Sequence, residues 1–240
     1  MKLHASLGPI RGRCRDLEWL RASRVRTMLQ HELAARVAGA GRRRCVILVV
    51  VNAAAAERRL LSGGLCCPEC GGVVLPHGFA RARPVRGFTE TTELRPRRAR
   101  CPSCAKTHVI LPGQVVPRRR DDASVIGRAL LRAATGHSGS EIASELGRAR
   151  TTVRNWLRRF SDNADALQVA ATRELLTYDA RADPMRLAWL ERPVARAVEA
   201  LGSAAAAVVR LFGPLPPGTS PWGVASVVVG GHLLTPGFSP

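Results

Sequence analysis

Four cysteines in two closely spaced pairs are the residues whose types and spacing most clearly indicate chemistry. Cys67 and Cys70 form one Cys-x-x-Cys pair, and Cys101 and Cys104 form a second, with 30 residues between the pairs. Each such turn places two thiolates on one side, and two turns complete a tetrahedral Zn²⁺ site without an open coordination position. The spacing therefore predicts a structural Zn²⁺ ion that supplies folding free energy to a small segment with little core of its own.

The remaining cysteines and the neighbouring histidines are weaker candidates. Cys66 could replace Cys67, but the spacing would then become three, so Cys67 is the preferred ligand. We interpret His77 and His108 as surface residues or as neighbours of the ligands, and Cys14 and Cys45 as ordinary thiols. Reduced structural cysteines without a metal are the alternative, since a redox dithiol would need only one Cys-x-x-Cys pair.

Residues 123–160 carry the pattern of three short helices joined by tight turns. The apolar spacing predicts a first helix from Ala123 to Thr135, ended by Gly136. Ser138 and Glu141 stand three residues apart and form a capping box, which predicts where the second helix begins.

The second and third of these helices match the helix-turn-helix pattern. Ala143 is small enough to let the two helices approach, and Gly147 suits a left-handed turn four residues later. Val153 and Trp156 would then form the inner face of the third helix. The order of these residues predicts a DNA-binding fold.

The outward side chains of the third helix predict a surface that reads DNA bases, because Arg can pair with guanine, Asn with adenine, and Thr with phosphate or a thymine methyl. Two residues depart from the usual pattern: Arg148 replaces an apolar turn residue, and Ala149 stands where a Ser or Thr would cap the third helix, at a cost of about 1 kcal/mol. Three further arginines would contact phosphates. The predicted DNA-contacting residues are Arg150, Thr151, Thr152, Arg154, Asn155, Arg158, Arg159, Arg118, Arg119 and Arg120.

The net charge of the chain favours a polyanionic partner. The sequence has 37 Lys and Arg against 18 Asp and Glu, a formal charge of +19, and residues 164–240 contribute none of this excess. Binding of a polyanion to the basic part would release condensed counterions and give salt-sensitive affinity.

The sequence predicts a mainly α protein with a small β zinc ribbon, a helix-turn-helix core and a helical C-terminal tail. A continuous apolar run predicts a short strand at 46–51, Asn52 caps a helix over 53–61, and the ribbon strands fall near 73–75, 79–85 and 91–97. Tail helices are expected at about 164–178 and 185–211, before a last apolar piece at 222–234. The four segments are a basic arm (1–44), a strand-helix lead-in with the ribbon (45–112), the helix-turn-helix (113–163) and a neutral Ala-rich tail (164–240).

Neither export nor catalysis is indicated. The N-terminal residues have no apolar segment of the secretory type, and the strongest apolar run is about half of the ~20 residues that span a bilayer. We therefore expect a cytoplasmic, nucleoid-associated protein. The acidic residues after residue 160 lie in helical sequence rather than at strand ends, so an enzyme is not expected.

The segments CPECGG (67–72), RPRRARCPSCAKTHVILP (95–112) and VIGRALLRAATGHSGSEIASELGRARTTVRNWLRRF (125–160) carry a family resemblance. The chain resembles an uncharacterised bacterial family that joins a four-cysteine zinc ribbon to a helix-turn-helix. It is also similar to the N-terminal DNA-binding region of insertion-sequence transposases. That resemblance implies double-stranded DNA as partner and a role in transposition or in transcription regulation.

Other interpretations stay open. The chain could be a truncated transposase without its catalytic domain, or a zinc-ribbon module that binds RNA or protein. The C-terminal helices could also form a homodimer, since helix-turn-helix proteins commonly bind DNA as dimers.

Overall fold

A computed structural model of the chain describes residues 34–36 and 45–240, and side chains from Ile47 onward except those of 186–188. The predicted basic arm (1–44) therefore lies outside the described residues, apart from one short strand. The described part consists of a β region that carries the cysteines and a helical region that follows it.

Five strands form one mixed sheet in the order β1-β2-β7-β6-β3. β2 and β7 are parallel, with Ile47 opposite Val109, and the other neighbouring pairs are antiparallel. The strand predicted as a lead-in thus belongs to the same sheet as the strands around the cysteines. The strands are β1 (Ala34–Arg36), β2 (Cys45–Val50), β3 (Leu75–Phe79), β6 (Arg97–Arg100) and β7 (Thr107–Pro112).

Helix α1 (Ala53–Leu61) follows β2, as the sequence predicts. The side chain of Asn52 accepts a hydrogen bond of 2.9 Å from the backbone N–H of Ala55, which caps the helix. Leu60 of α1 packs with Leu48, Val74 and Ile110 in a small core on the sheet.

The predicted ribbon strands are only partly correct. The strand expected over 79–85 is divided: β3 ends at Phe79, and β4 (Arg83–Arg86) begins four residues later. β4 pairs with β5 (Thr91–Leu94) in a separate two-stranded hairpin, and the loop between them is closed by a backbone hydrogen bond from Gly87 to Glu90. β6 and β7 follow and return the chain to the main sheet. The division arises from long-range pairing, which local propensity does not encode.

Three short helices then occupy the segment predicted as a helix-turn-helix: α2 (Ala123–Ala134), α3 (Gly139–Leu146) and α4 (Arg150–Ser161). The predicted capping box is present, since Ser138 Oγ accepts from Glu141 N and Glu141 Oε2 accepts from Ser138 N. Gly147 has φ +59° in the turn between α3 and α4. Val153 and Trp156 are buried, as predicted, and Phe160 extends the same face.

The tail forms α5 (Ala164–Tyr178), a 3-10 turn (Pro184–Trp189), α6 (Pro193–Phe212) and α7 (Pro221–Val228). The helix expected at 164–178 is confirmed, whereas the one expected from 185 begins as a 3-10 turn and becomes α-helical only at Pro193. These helices share one core with α2–α4, built from side chains such as Leu130, Leu167 and Leu201.

Helix α7 lies against both regions. A Cβ atom at Gly113, just after β7, would stand 2.6 Å from the carbonyl oxygen of Gly223, so this approach requires glycine. On the same helix, the ring of Trp222 covers Gly127 of α2, where a Cβ would lie 2.0 Å from the indole. The end of the chain therefore packs on the sheet and on α2 together. Within the described ranges no helix is long and apolar enough to cross a membrane.

Candidate metal centre and basic helix

The four predicted cysteines come together at one end of the main sheet. One potential ligand atom from each lies within 4.8 Å of the other three. Cys67 Sγ is 3.7 Å from Cys104 Sγ, and Cys70 Sγ is 3.5 Å from Cys101 Sγ. Sulfurs on a tetrahedral Zn²⁺ at about 2.3 Å stand about 3.8 Å apart, so the cluster has the size of such a site. The four residues could hold a metal ion.

The chain on each side of the cluster bends in the same way. Gly71 follows the first pair with φ +71°, and Ala105 follows the second with φ +58°. Glycine adopts this left-handed conformation freely, whereas alanine pays about 1 kcal/mol for it. The two turns also approach closely, because a Cβ at Gly72 would stand 2.6 Å from Ser103 Oγ. Lys106 forms an ion pair with Glu69 between them.

Burial and the local backbone act on these thiols in opposite directions. Burial raises the pKa of Cys67 to about 12. Burial also raises the pKa of Cys101, but hydrogen bonds from the Cys104 backbone and the Cys70 side chain outweigh it and bring the pKa to about 7. Backbone N–H groups thus point at the sulfurs, as they do where a thiolate binds a metal.

His108 is a neighbour of the cluster. The sequence alone allowed two interpretations of it, a surface residue or a neighbour of the ligands. It is fully buried, and its Nε2 lies 3.4 Å from Cys67 Sγ. Burial lowers its pKa, which favours the neutral ring. His77 is exposed on β3, and Cys66 lies outside the four-sulfur cluster. The two-residue spacing of His108 and Ile110 is the sequence signal that could have assigned His108 to the interior, because alternate residues of a strand share one face.

The second predicted site is the outer face of α4. Arg150, Arg154 and Arg158 line an open groove of about 810 Å³, and they are joined there by Arg192 at the start of α6. The same groove is also lined by Thr151, Leu130 and Phe160. The sequence did not single out Arg192, because nothing local places the start of α6 beside α4.

The other predicted residues of α4 lie outside this groove. Asn155 is exposed, and Thr152 and Arg159 are half-buried. The seven residues therefore divide into a stripe of four in the groove and three beside it. Ala149 provides no side-chain hydrogen bond to the first turn, as predicted.

The three linker arginines differ from one another. Arg118 and Arg120 are exposed, whereas Arg119 is half-buried and donates a hydrogen bond of 3.4 Å to the Leu234 carbonyl. Burial lowers the pKa of Arg119, and the nearby positive charges of Arg159 and Arg118 lower it further. Arg119 therefore attaches the end of the chain to the linker.

Arg148 has a role that the sequence did not reveal. Its Nε donates to Asp121 Oδ1 at 2.7 Å, and the other oxygen of Asp121 accepts from Arg86 Nη2 at 2.7 Å. Asp121 is only 2% exposed. A charged residue at an apolar turn position requires a buried partner, which is the signal that could have pointed to this ion pair.

The described chain thus combines a four-cysteine cluster with a basic helix on a helical core. Residues 67–156, which run from the first cysteine to Trp156 of α4, match the model of a family described as a domain of unknown function (DUF6431). No curated protein and no solved structure matches the chain.

Proposed function

We propose that this chain binds double-stranded DNA, with α3 and α4 acting as a helix-turn-helix and α4 lying in the major groove. The observation that carries the proposal is the division of α4 into two faces. Val153, Trp156 and Phe160 are buried in the core, while Arg150 and Arg154 are exposed. A recognition helix needs this arrangement, because its core face fixes the direction in which its polar face points.

The surroundings of α4 support the same partner. Arg192 adds a positive charge to the groove beside α4, and Arg118 and Arg120 stay exposed on the linker before α2. Such residues suit phosphate contacts, which position a protein on the duplex without reading its sequence. Arg154 and Asn155 are the residues best suited to base edges, since Arg pairs with guanine and Asn with adenine.

In this proposal the cluster of Cys67, Cys70, Cys101 and Cys104 holds one structural Zn²⁺. Four thiolates leave no open position, so the ion would stabilise the β region and would have no catalytic role. The zinc ribbon would therefore support the DNA-binding helices, in a protein of transposition or of transcription regulation. A homodimer through the C-terminal helices stays a prediction, which sedimentation with and without DNA would check.

The experiment is a selection of bound sequences from a random duplex library with the metal-loaded full chain at near-physiological salt. We expect the unmodified protein to recover a defined motif, and the Arg154→Ala, Asn155→Ala double variant to lose it. Arg173→Ala removes one exposed positive charge from α5 and should recover the same motif, so it separates base reading from net charge. Recovery of no motif by the unmodified chain would contradict the proposal.

A second candidate function is RNA binding through the main sheet. It is favoured by Phe79, which is exposed on the edge strand β3 and has the guanidinium groups of Arg95 and Arg97 at 5.3 and 4.6 Å from its ring centre. Exposed aromatic rings beside arginines can stack on unpaired bases. Equal affinity for single-stranded RNA and for any duplex, lost in Phe79→Ala, would favour this candidate.

A further inference from the structure

A buried carboxylate fixes the β4–β5 hairpin beside the start of α4. Asp121 accepts hydrogen bonds from Arg86 on β4 and from Arg148 in the turn before α4. Arg148 Nη2 also donates to the Gly87 carbonyl at 2.6 Å. Because Asp121 is satisfied on both oxygens and nearly inaccessible to water, the hairpin cannot move away from the turn without exposing an unpaired charge.

The backbone strengthens the same attachment. Arg86 N donates to the Arg120 carbonyl at 2.6 Å, and Asp122 N donates to the Arg86 carbonyl at 2.9 Å. The hairpin is therefore held by the linker on one side and by Arg148 on the other. These hydrogen bonds therefore fix the orientation of the hairpin relative to the start of α4.

The part of the hairpin that this attachment presents to solvent is its loop. Phe88 is 57% exposed there, next to the Gly87 carbonyl that Arg148 binds. Single exposed apolar residues are common on protein surfaces, so its exposure alone carries no argument. The position of Phe88 does carry an argument. Its neighbour Gly87 is bonded to Arg148, which stands two residues before Arg150 at the start of α4. The N-terminal residues of a recognition helix are those that approach the base edges.

The charges around the loop indicate which part of a duplex it would meet. Arg118 and Arg120 are exposed on the linker, and the carbonyl of Arg120 is bonded to β4. These two arginines suit the phosphates beside the loop. Glu90 within the loop would repel phosphates, so the loop's own contact falls to the apolar Phe88, against sugars or base edges.

We propose that the β4–β5 hairpin is a second DNA-contacting element, a wing that places Phe88 in the minor groove next to the major-groove segment bound by α4. This inference rests on the proposed function, since it takes the position of the duplex from α4. Arg118 and Arg120 bind the intervening phosphates. The buried Asp121 keeps Phe88 and α4 at a fixed separation, so the two elements read one continuous site.

The test compares Phe88→Ala with Val169→Ala, which trims an equally exposed apolar side chain on α5 rather than on the hairpin. Both substitutions leave the core intact. The probe is the duplex selected by the unmodified chain, and the readouts are affinity and a hydroxyl-radical footprint. We expect Phe88→Ala to bind about tenfold more weakly, equivalent to about 1.4 kcal/mol, and to lose protection on one flank while the central motif stays protected. Val169→Ala should match the unmodified chain.

The two proposals fail in different ways. An unchanged affinity and footprint for Phe88→Ala, with motif selection intact in the unmodified chain, would overturn the wing and leave DNA recognition by α4 in place. A failure of the unmodified chain to select any motif would overturn DNA recognition by α4 and the wing with it.

Discussion

The β region and the helical region bury apolar side chains to very different extents. Among the described residues, the core on the sheet contains ten buried residues, and two of these are the cluster cysteines Cys67 and Cys101. The helical core contains 31, contributed by α2–α7 and their connections. A small core leaves little free energy to offset the conformational entropy of the chain, so small β units commonly depend on a metal or on disulfides. We therefore expect the helical region to be stabilised by packing and the β region by the metal proposed for its cluster.

The largest expected effect is the loss of the proposed metal. Cys101→Ser removes one of four thiolates, and the β region should then exchange its backbone amides rapidly over residues 67–112 while α2–α7 stay protected. The physical reason is that a bound metal would supply folding free energy that ten buried residues do not. Hydrogen exchange monitored by mass spectrometry, together with metal content, measures this.

The control is Ser103→Ala, which changes the same turn and keeps all four thiolates. It should retain the metal and the exchange pattern of the unmodified chain. Slow exchange throughout 67–112 in a metal-free Cys101→Ser protein would show that the β region is stable without an ion. It would contradict the expected difference between the β region and the helical region.

A smaller effect is expected where the tail packs on α2. Gly127→Ala places a methyl group 2.0 Å from the Trp222 ring, so α7 must shift, and we expect a loss of about 2–3 kcal/mol in the free energy of unfolding. Gly202→Ala on the exposed side of α6 meets no atom within 4 Å and should instead stabilise the protein by about 0.5–1 kcal/mol. Urea denaturation of the two variants measures both signs. Equal stability of the two would contradict the packing of α7 on α2.

The smallest effect concerns the start of α4. Ala149→Ser supplies the side-chain oxygen that the N-cap lacks. It should stabilise the protein by about 0.5–1 kcal/mol, because this oxygen can accept a hydrogen bond from an N–H group of the first turn. The change should raise the urea midpoint without altering the slope of the transition. A decrease in stability would show that the backbone before α4 cannot present a serine oxygen to the first turn.

Local patterns explain what the sequence predicts well. The capping box of Ser138, the turn at Gly147 and the two cysteine pairs each depend on residues within a few positions of one another, and the structure contains all of them. The parallel pairing of β2 with β7 and the ion pairs of Asp121 join residues far apart in the chain. Such contacts have no periodic signature, so the sequence does not show which residues form each pair.

The same distinction applies to the candidate site. The four cysteines and the arginines of α4 were predicted from spacing and helical periodicity. Arg192 in the groove and His108 against Cys67 depend on how separate elements pack. The role of Arg148 was missed because the helix-turn-helix pattern assigns an apolar residue to its position, and only the three-dimensional contact with Asp121 accounts for the charge.

The most direct test of the account is amide hydrogen exchange of the metal-loaded full chain with and without its selected duplex. The first amides of a helix have no intrahelical partner, so those of Arg150 and Thr151 can report on a bound duplex. The account predicts that DNA slows exchange at the start of α4 and in the loop from Gly87 to Glu90, with no change in α5 or the second half of α6. Protection confined to β3 and β6, with exchange at Arg150 and Thr151 unaltered, would contradict the central claim that α4 binds the duplex.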